Sequence, residues 1–323
     1  MSNSEIKSGS RLEKVLKSGK FAFTGELGPP KAVDAENVEK KAGFLKESVD
    51  AANITDNQTA IVRMSSFAAS IIAKNYGLEP VMQITTRDRN RLAIQSDVIG
   101  ASALGIKNIL CLSGDHQSFG NHPTSKNVHD IDSVQLIAML KNMRDEQQFD
   151  SGDQIRNSRK SDLAPPKIFI GAAANPFADP LEMRVIRLAK KVHAGVDFIQ
   201  TQVIYDMERF KHWMQQVHDM GLHEKVFILG GITPLKSARM AKYMKDNVSG
   251  ISFPDDIVKR MEQAEDQKAE GVKIALEQIQ ELKEINGVHG VHLMAIGAEK
   301  SVPDIADRAG VLPRPEIKEV AAI

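Results

Sequence analysis

Residues 81–115, VMQITTRDRNRLAIQSDVIGASALGIKNILCLSGD, decide the fold. Val81, Gln83 and Thr85 alternate with Met82, Ile84 and Thr86, a strand that leaves a core and runs into the polar stretch Arg87-Asp88-Arg89-Asn90-Arg91. Leu92, Ile94, Val98, Ile99 and Leu104 then fall on one helical face. Ile109, Leu110, Cys111 and Leu112 follow as a strand apolar on both sides, ending in Gly114-Asp115. Apolar character on both faces is what a parallel, helix-covered strand requires. The stretch is one β-α-β unit, with chemistry expected where its strands end.

The same rhythm continues in both directions. A helix from Arg11 to Lys17, with Leu12 and Leu16 inward and Gly19 at its end, precedes a strand from Phe21 to Glu26 that Gly28-Pro29-Pro30 stops. Asp34 is expected to cap a helix running to Val49. Further strands are read at Ala51 to Thr55, Lys167 to Ala173, Asp197 to Gln202, Val226 to Leu229 and Val291 to Ile296. Helices are read at Ser65 to Tyr76, Ser133 to Met143, Pro180 to Ala194, Asp206 to Met220, Pro234 to Met244, Ile257 to Ile285 and Val302 to Ala309. Eight strands alternating with helices predict a (β/α)8 TIM barrel, one α/β domain over residues 1–323 with an extra N-terminal helix. A doubly wound sheet is the alternative, but no Gly-x-Gly-x-x-Gly follows a strand. The polar segment 144–166, which contains Gly152 and ends in two prolines, reads as an exposed insertion within the domain. The loop 115–130, rich in Gly, His, Asn and Ser, belongs on the active-site face.

Composition narrows the partner. Lysine plus arginine number 42 and aspartate plus glutamate 42, so nothing draws the chain to nucleic acid or a membrane surface. A single cysteine, Cys111, excludes an intrachain disulfide and a cysteine-based zinc site within the chain. The amino end lacks an apolar run of signal length, and nowhere do eighteen apolar residues run together. A cytoplasmic protein acting on a small molecule is expected.

A barrel gathers the carboxyl ends of its strands on one face, so Glu26, Thr55, Gln83, Asp115, Asn175 and Gln202 converge although scattered in sequence. Two carboxylates in such a mouth suit a proton donor and an electrostatic tuner. Glu26, among Phe23, Leu27 and Pro29, has the apolar neighbours of a carboxyl that carries its proton, though it could equally cap a turn or pair with an arginine. Asp115 follows a glycine where backbone can approach a ligand, or it forms an Asx turn. Arg87, Arg89 and Arg91 would grip a phosphate or simply face solvent. The irregular spacing of His116, His122 and His129 favours loop histidines over a metal site, and no metal is expected.

These strand ends resemble the methylenetetrahydrofolate reductase family. The likeness rests on Gly25-Glu26-Leu27-Gly28-Pro29-Pro30, Thr55-Asp56-Asn57, the run from Gln83 to Asp97, Leu112-Ser113-Gly114-Asp115, Ala194-Gly195, and Thr201-Gln202 with Asp206. The resemblance implies a flavin-binding barrel that reduces 5,10-methylenetetrahydrofolate to 5-methyltetrahydrofolate, in which Glu26 is the general acid at N10. Asp115 would lie near flavin and pterin, adjusting the flavin potential and helping to hold the folate, and Gln202 would orient the substrate. Thr55, Gln83, Ser113, Gly114, Asp115, Asp132, Ser133, Asn175 and Lys191 match the family's flavin contacts. The flavin would be FAD, with FMN as the alternative.

Departures accompany the match. Gln83 stands where many relatives have histidine and Ser113 where some have arginine, so Arg87 is expected to compensate at the pyrophosphate. The last strand ends in Met294-Ala295-Ile296-Gly297-Ala298-Glu299 without the Asn-Arg pair of relatives. This resembles the acetogen-like branch, which implies either NAD(P)H or a partner redox subunit as electron donor. A homo-oligomer or a complex with a separate zinc-binding subunit would follow. A non-catalytic folate-binding or scaffold barrel subunit of a one-carbon redox complex is the alternative function.

Overall fold

The computed structural model describes residues 6–157 and 162–317. Its strands are β1 (Ala22–Leu27), β2 (Ala51–Ile54), β3 (Pro80–Thr85), β4 (Asn108–Leu112), β5 (Phe169–Ala174), β6 (Phe198–Val203), β7 (Phe227–Ile232) and β8 (Val288–Leu293). They pair in sequence order, all parallel, and close with β1 against β8. Around them run α1 (Arg11–Lys17), α2 (Ala35–Leu45), α3 (Ser66–Asn75), α4 (Arg91–Ala103), α5 (Ser133–Lys141), α6 (Glu182–Ala194), α7 (Met207–Asp219), α8 (Ala238–Asn247), α9 (Asp255–Gln263), α10 (Gln267–Glu284) and α11 (Val302–Arg308). The (β/α)8 barrel read from the sequence is the architecture, with α1 as its extra helix.

Alternate residues of each strand point inward. At the amino-terminal end Ala22, Ala51, Val81, Leu110, Phe169, Phe198 and Phe227 cluster with Leu12, Val15 and Leu16, so α1 plugs the barrel floor. Ser10 caps α1, and Glu79 accepts the N–H groups of Arg11 and Leu12 at 2.7 and 3.0 Å. Burial pushes the Glu79 carboxyl above its usual range. The outward residues of the strands meet the helices in the larger core, where Ile94, Val98 and Ala101 of α4 lie against Ile109 and Cys111. Leu92 and Leu104, expected on that same face, are instead 75% and 50% exposed, which narrows the buried stripe of α4.

Several boundaries differ from the sequence reading: the helix expected to reach Val49 ends at Leu45, the strand expected to stop at Leu229 runs to Ile232, and three further differences have a local cause. The helical region 257–285 is two helices, because Asp266 caps α10 by accepting from the N–H groups of Lys268 and Ala269, each at 3.0 Å. That cap was hidden inside a charged run. The helix expected from Pro234 starts at Ala238, where Ser237 accepts from Met240 N–H. β8 begins at Val288 and stops at Leu293, after which a turn leaves Ile296 48% exposed. Its His289 and Gly290 disguise the alternation, yet Gly290 pairs with Ala22 and Val288 with Ile228.

Within 144–166, residues 158–161 lie outside the described residues. Of the remainder, Arg144 and Ile155 are buried, and bridges join Gln148 to Gln154 and Arg156 to Leu163. The segment is thus tied at its start to the barrel wall rather than projecting from residue 144 onward.

Candidate active site

The residues singled out at the strand ends lie on one face of the barrel, in three groups. The first is a cavity of about 260 Å³ lined by Ser113, Ser133, Asn175, Lys191 and Gln202 together with Cys111, Leu112, Ala173, Ala174, Arg184, Arg187 and Leu188. It carries three cationic side chains and no carboxylate. Ser133, the first residue of α5, donates its N–H to Ser113 Oγ at 3.3 Å. Lys191 donates to the Ala173 carbonyl, and burial, helped by the Arg187 charge, pushes its ammonium down to about 8. Asn175 Oδ1 accepts from Phe177 and Ala178 N–H at 2.9 and 3.1 Å, so only its amide nitrogen remains to face a ligand. Arg184 and Arg187 escaped the sequence reading, although their spacing with Lys191 (i, i+3, i+7) puts all three on one face of α6.

The second group holds the loops. Arg87 is buried, and four of its N–H contacts are committed: Nε to Asp88 Oδ1 at 2.7 Å, the η nitrogens to Asp88 Oδ2 at 2.6 Å, to the Asp115 carbonyl at 3.0 Å and to the Asn57 carbonyl at 3.3 Å. Its geometry is that of a clamp across three loops, so it has little left for a pyrophosphate. Arg89 bonds Asp56, and Arg91 bonds Asp130 and Asp150. The arginine run is therefore paired throughout, which neither of its sequence readings anticipated. Asp132 is exposed and caps α5 with Gln135 in a reciprocal capping box. Asp115 is exposed, and its Oδ2 accepts from Thr59 N–H at 3.1 Å. His116, His122 and His129 stay in the exposed loop, and among the described residues no group of three metal-ligating side chains forms.

The third group lies inside the mouth. Glu26 is 8% exposed, and its Oε2 lies 3.6 Å from His292 Nε2. Gln83 is also buried on β3. Thr55, just beyond β2, has a buried Oγ1 with no hydrogen-bond partner, an atom that a ligand would satisfy. Gly114, at φ +83°, lies so close to β3 that a Cβ would meet Thr85 Cβ at 3.1 Å and Arg87 Cβ at 3.2 Å, so a side chain here would be strained and crowded. An orphaned hydroxyl, a side-chain-free approach and a cationic cavity fit a flavin with its phosphate. His292 was missed: a lone histidine in an apolar strand ordinarily reads as core.

Fold and site define a (β/α)8 barrel whose strand ends form a polar mouth with a cationic side. A family model described as methylenetetrahydrofolate reductase matches residues 11–310, and the chain belongs to that family. A probable methylenetetrahydrofolate reductase (NADPH) of Caenorhabditis elegans is 22% identical over 276 residues, covering 77% of this chain and 38% of its own length. Methylenetetrahydrofolate reductase 2 of Saccharomyces cerevisiae is 26% identical over 265 residues, covering 78% and 40%. The chain spans about two fifths of the length of these relatives. A solved Clostridium thermocellum structure, described as an uncharacterized protein that binds two copies of 5-methyl-5,6,7,8-tetrahydrofolic acid, aligns with a TM-score of 0.63. It shares 14% identity over 94% of this chain and 100% of its own, a likeness of fold.

Proposed function

We propose that the chain reduces 5,10-methylenetetrahydrofolate to 5-methyltetrahydrofolate in the cytoplasm, as one domain over residues 1–323 with 144–166 as an insertion. The observation that carries this reading is Glu26, a carboxyl buried at the end of β1 with an imidazole behind it, in a chain of this family. A flavin held in this mouth would supply the hydride that the methylene carbon receives. Glu26 gives its proton to N10 of the folate, opening the five-membered ring so that the carbon becomes electrophilic. Gln202 orients the pterin, and Asp115 places a negative charge beside it. A folate is also the ligand named for the Clostridium thermocellum structure.

Thr55, Gln83 and Gly114 would hold the flavin ring and ribityl chain, while Ser113, Ser133, Asn175 and Lys191 would meet its phosphate end, with Asp132 at the rim. FAD is the proposed form and FMN the alternative. The donor is NAD(P)H or a partner redox subunit, and the latter is favoured by the Met294-Ala295-Ile296-Gly297-Ala298-Glu299 segment that follows β8.

The test is anaerobic. Purified protein is expected to carry flavin, identified by mass, and to be bleached by 5-methyltetrahydrofolate. Glu26→Gln should keep the flavin and lower folate turnover by about 10²-fold or more. A chain that takes up no flavin sinks the reading, and folate binding without turnover in the wild type would favour the scaffold role.

A further inference from the structure

Asp115 stands beyond the strand that carries it. β4 ends at Leu112, whose carbonyl accepts from Thr86 N–H at 3.0 Å, and Gly114 then turns the chain at φ +83°. The sheet ladder therefore does not fix Asp115. What holds its backbone is Arg87, which donates from Nη1 to the Asp115 carbonyl at 3.0 Å. The same guanidinium donates from Nη2 to the Asn57 carbonyl at 3.3 Å, two residues before the Thr59 N–H that Asp115 Oδ2 accepts at 3.1 Å. Arg87 thus grips both of the loops that meet in the Asp115–Thr59 bond.

Its remaining contacts orient the grip. Nε and Nη2 bond Asp88 Oδ1 and Oδ2 at 2.7 and 2.6 Å, a two-point contact that fixes the plane of the guanidinium. Asp88 Oδ2 also accepts from Asn57 Nδ2 at 3.4 Å. The Arg87 side chain is buried, and of the five N–H groups a guanidinium carries only one is left uncommitted. The loop it restrains has a costly shape. Asn57, Thr59 and Ala60 hold φ of 44°, 56° and 55°, left-handed conformations that residues with a side chain keep only when their surroundings impose them. A lysine could not make this set, since one ammonium does not span two carbonyls and a carboxylate fork in a single plane.

We infer that Arg87 is a positioning residue for Asp115: by clasping the Asp115 and Asn57 carbonyls together it sets the direction of the Asp115 carboxylate, and hence the affinity of the mouth for its folate. Oδ2 is taken by Thr59, so Oδ1 remains for a ligand, and its direction follows from where the two loops are pinned. The inference rests on the proposed folate reduction for its purpose and on these hydrogen bonds for its geometry.

Two measurements on the flavin-loaded protein test this. In hydrogen exchange read by mass, Arg87→Met is expected to speed exchange in peptides covering 57–64 and 113–120 by about tenfold or more, while peptides from β6 to β8 keep their rates. Equal acceleration throughout, or none in the two loops, overturns the clasp. The second is a double-mutant cycle on the affinity for 5-methyltetrahydrofolate. Arg87→Met should weaken it by about fivefold or more in the wild-type background and by less than about twofold on Asp115→Ala. Equal losses in both backgrounds overturn the inference. So does a loss of flavin affinity with folate affinity unchanged, which would make Arg87 a cofactor contact. Where Arg87→Met does not fold, Arg87→Lys keeps the charge without the clasp and takes its place in both measurements. An Asp115→Ala variant that binds folate as tightly as wild type would instead overturn the folate role of Asp115, and the exchange rates alone would then decide the clasp.

Discussion

Asp115 Oδ2 accepts the backbone N–H of Thr59 at 3.1 Å, and Thr59 has a left-handed φ of 56°. The carboxylate thus holds a strained loop beside the mouth while its other oxygen remains for a ligand. Asparagine at 115 keeps an acceptor and loses the charge, whereas alanine loses both. Asp115→Asn is expected to stay within about 0.5 kcal/mol of wild-type stability and still to weaken folate binding several-fold. Asp115→Ala should weaken folate binding and also lose about 1 kcal/mol. Urea unfolding and folate titration on both variants give the answer. Parallel losses of stability and affinity in the two would leave Asp115 as a loop anchor alone.

Lys191 predicts a pH dependence for the same mouth. Its ammonium titrates at about 8 in the fold against its ordinary 10.5, because it is buried and faces Arg187. Between those values the unfolded chain binds more protons, so stability without ligand rises with pH across that window. An anion in the cavity favours the protonated lysine, so flavin affinity is highest below about 8 and declines as pH rises through it. Lys191→Met should flatten this dependence, weaken flavin binding below pH 8, and remove the rise in stability. Flavin titrations at pH 7 and 9 would show it; an equal pH slope in the variant counts against Lys191 as the phosphate contact.

The barrel was legible because its strands carry their own punctuation: Gly28-Pro29-Pro30 after β1 and Gly114-Asp115 after β4 mark strand ends whatever they pack against. The breaks at Asp266 and Ser237 were not, since a capping side chain inside a polar run looks like surface until the helix beyond it is seen. That Glu26, Thr55 and Gln202 share one face was legible because strand ends converge in any barrel. The commitment of Arg87 to Asn57, Asp88 and Asp115 was invisible, being set by three loops meeting in space. His292 was hidden for the opposite reason, as its partners Thr24 and Asn53 are each ordinary strand residues until the sheet closes.

Arg144, at the start of the segment read as exposed, donates to Asp197 Oδ2 at 2.6 Å and to the Ile168 carbonyl at 3.1 Å. Asp197 also accepts from Ile170 N–H at 2.8 Å and pairs with Lys7, and both Arg144 and Asp197 are buried. Arg144→Met leaves that carboxylate in the wall with Lys7 as its remaining cation among the described residues. A loss of about 3 kcal/mol is expected, partly recovered by adding Asp197→Asn. The flavin content of the folded fraction should not change, because the pair lies away from the mouth. Urea titrations of the single and double variants measure it, and a double variant no more stable than Arg144→Met would rule out an uncompensated charge as the cause.

Gly171 shows how tightly the barrel floor is filled. Its missing Cβ would sit 2.2 Å from Phe198 Cζ, in the ring that stacks on Phe169 at a centroid distance of 5.2 Å and an interplanar angle of 15°. Phe169 and Phe198 are both fully enclosed, so neither ring has space to retreat. Gly171→Ala should cost about 1–3 kcal/mol by overpacking. Gly25 is the control, since a Cβ there meets Val49 Cγ1 at 3.3 Å and Leu45 Cδ2 at 3.4 Å, contacts that small side-chain shifts relieve. Alanine also narrows the unfolded ensemble, which offsets part of any strain, so Gly25→Ala is expected within about 1 kcal/mol of wild type. The chain has a single tryptophan, Trp213, buried on α7, and its fluorescence reports both urea transitions. Equal destabilisation at the two sites would contradict the packing argument, because the two glycines differ in what a methyl group would strike.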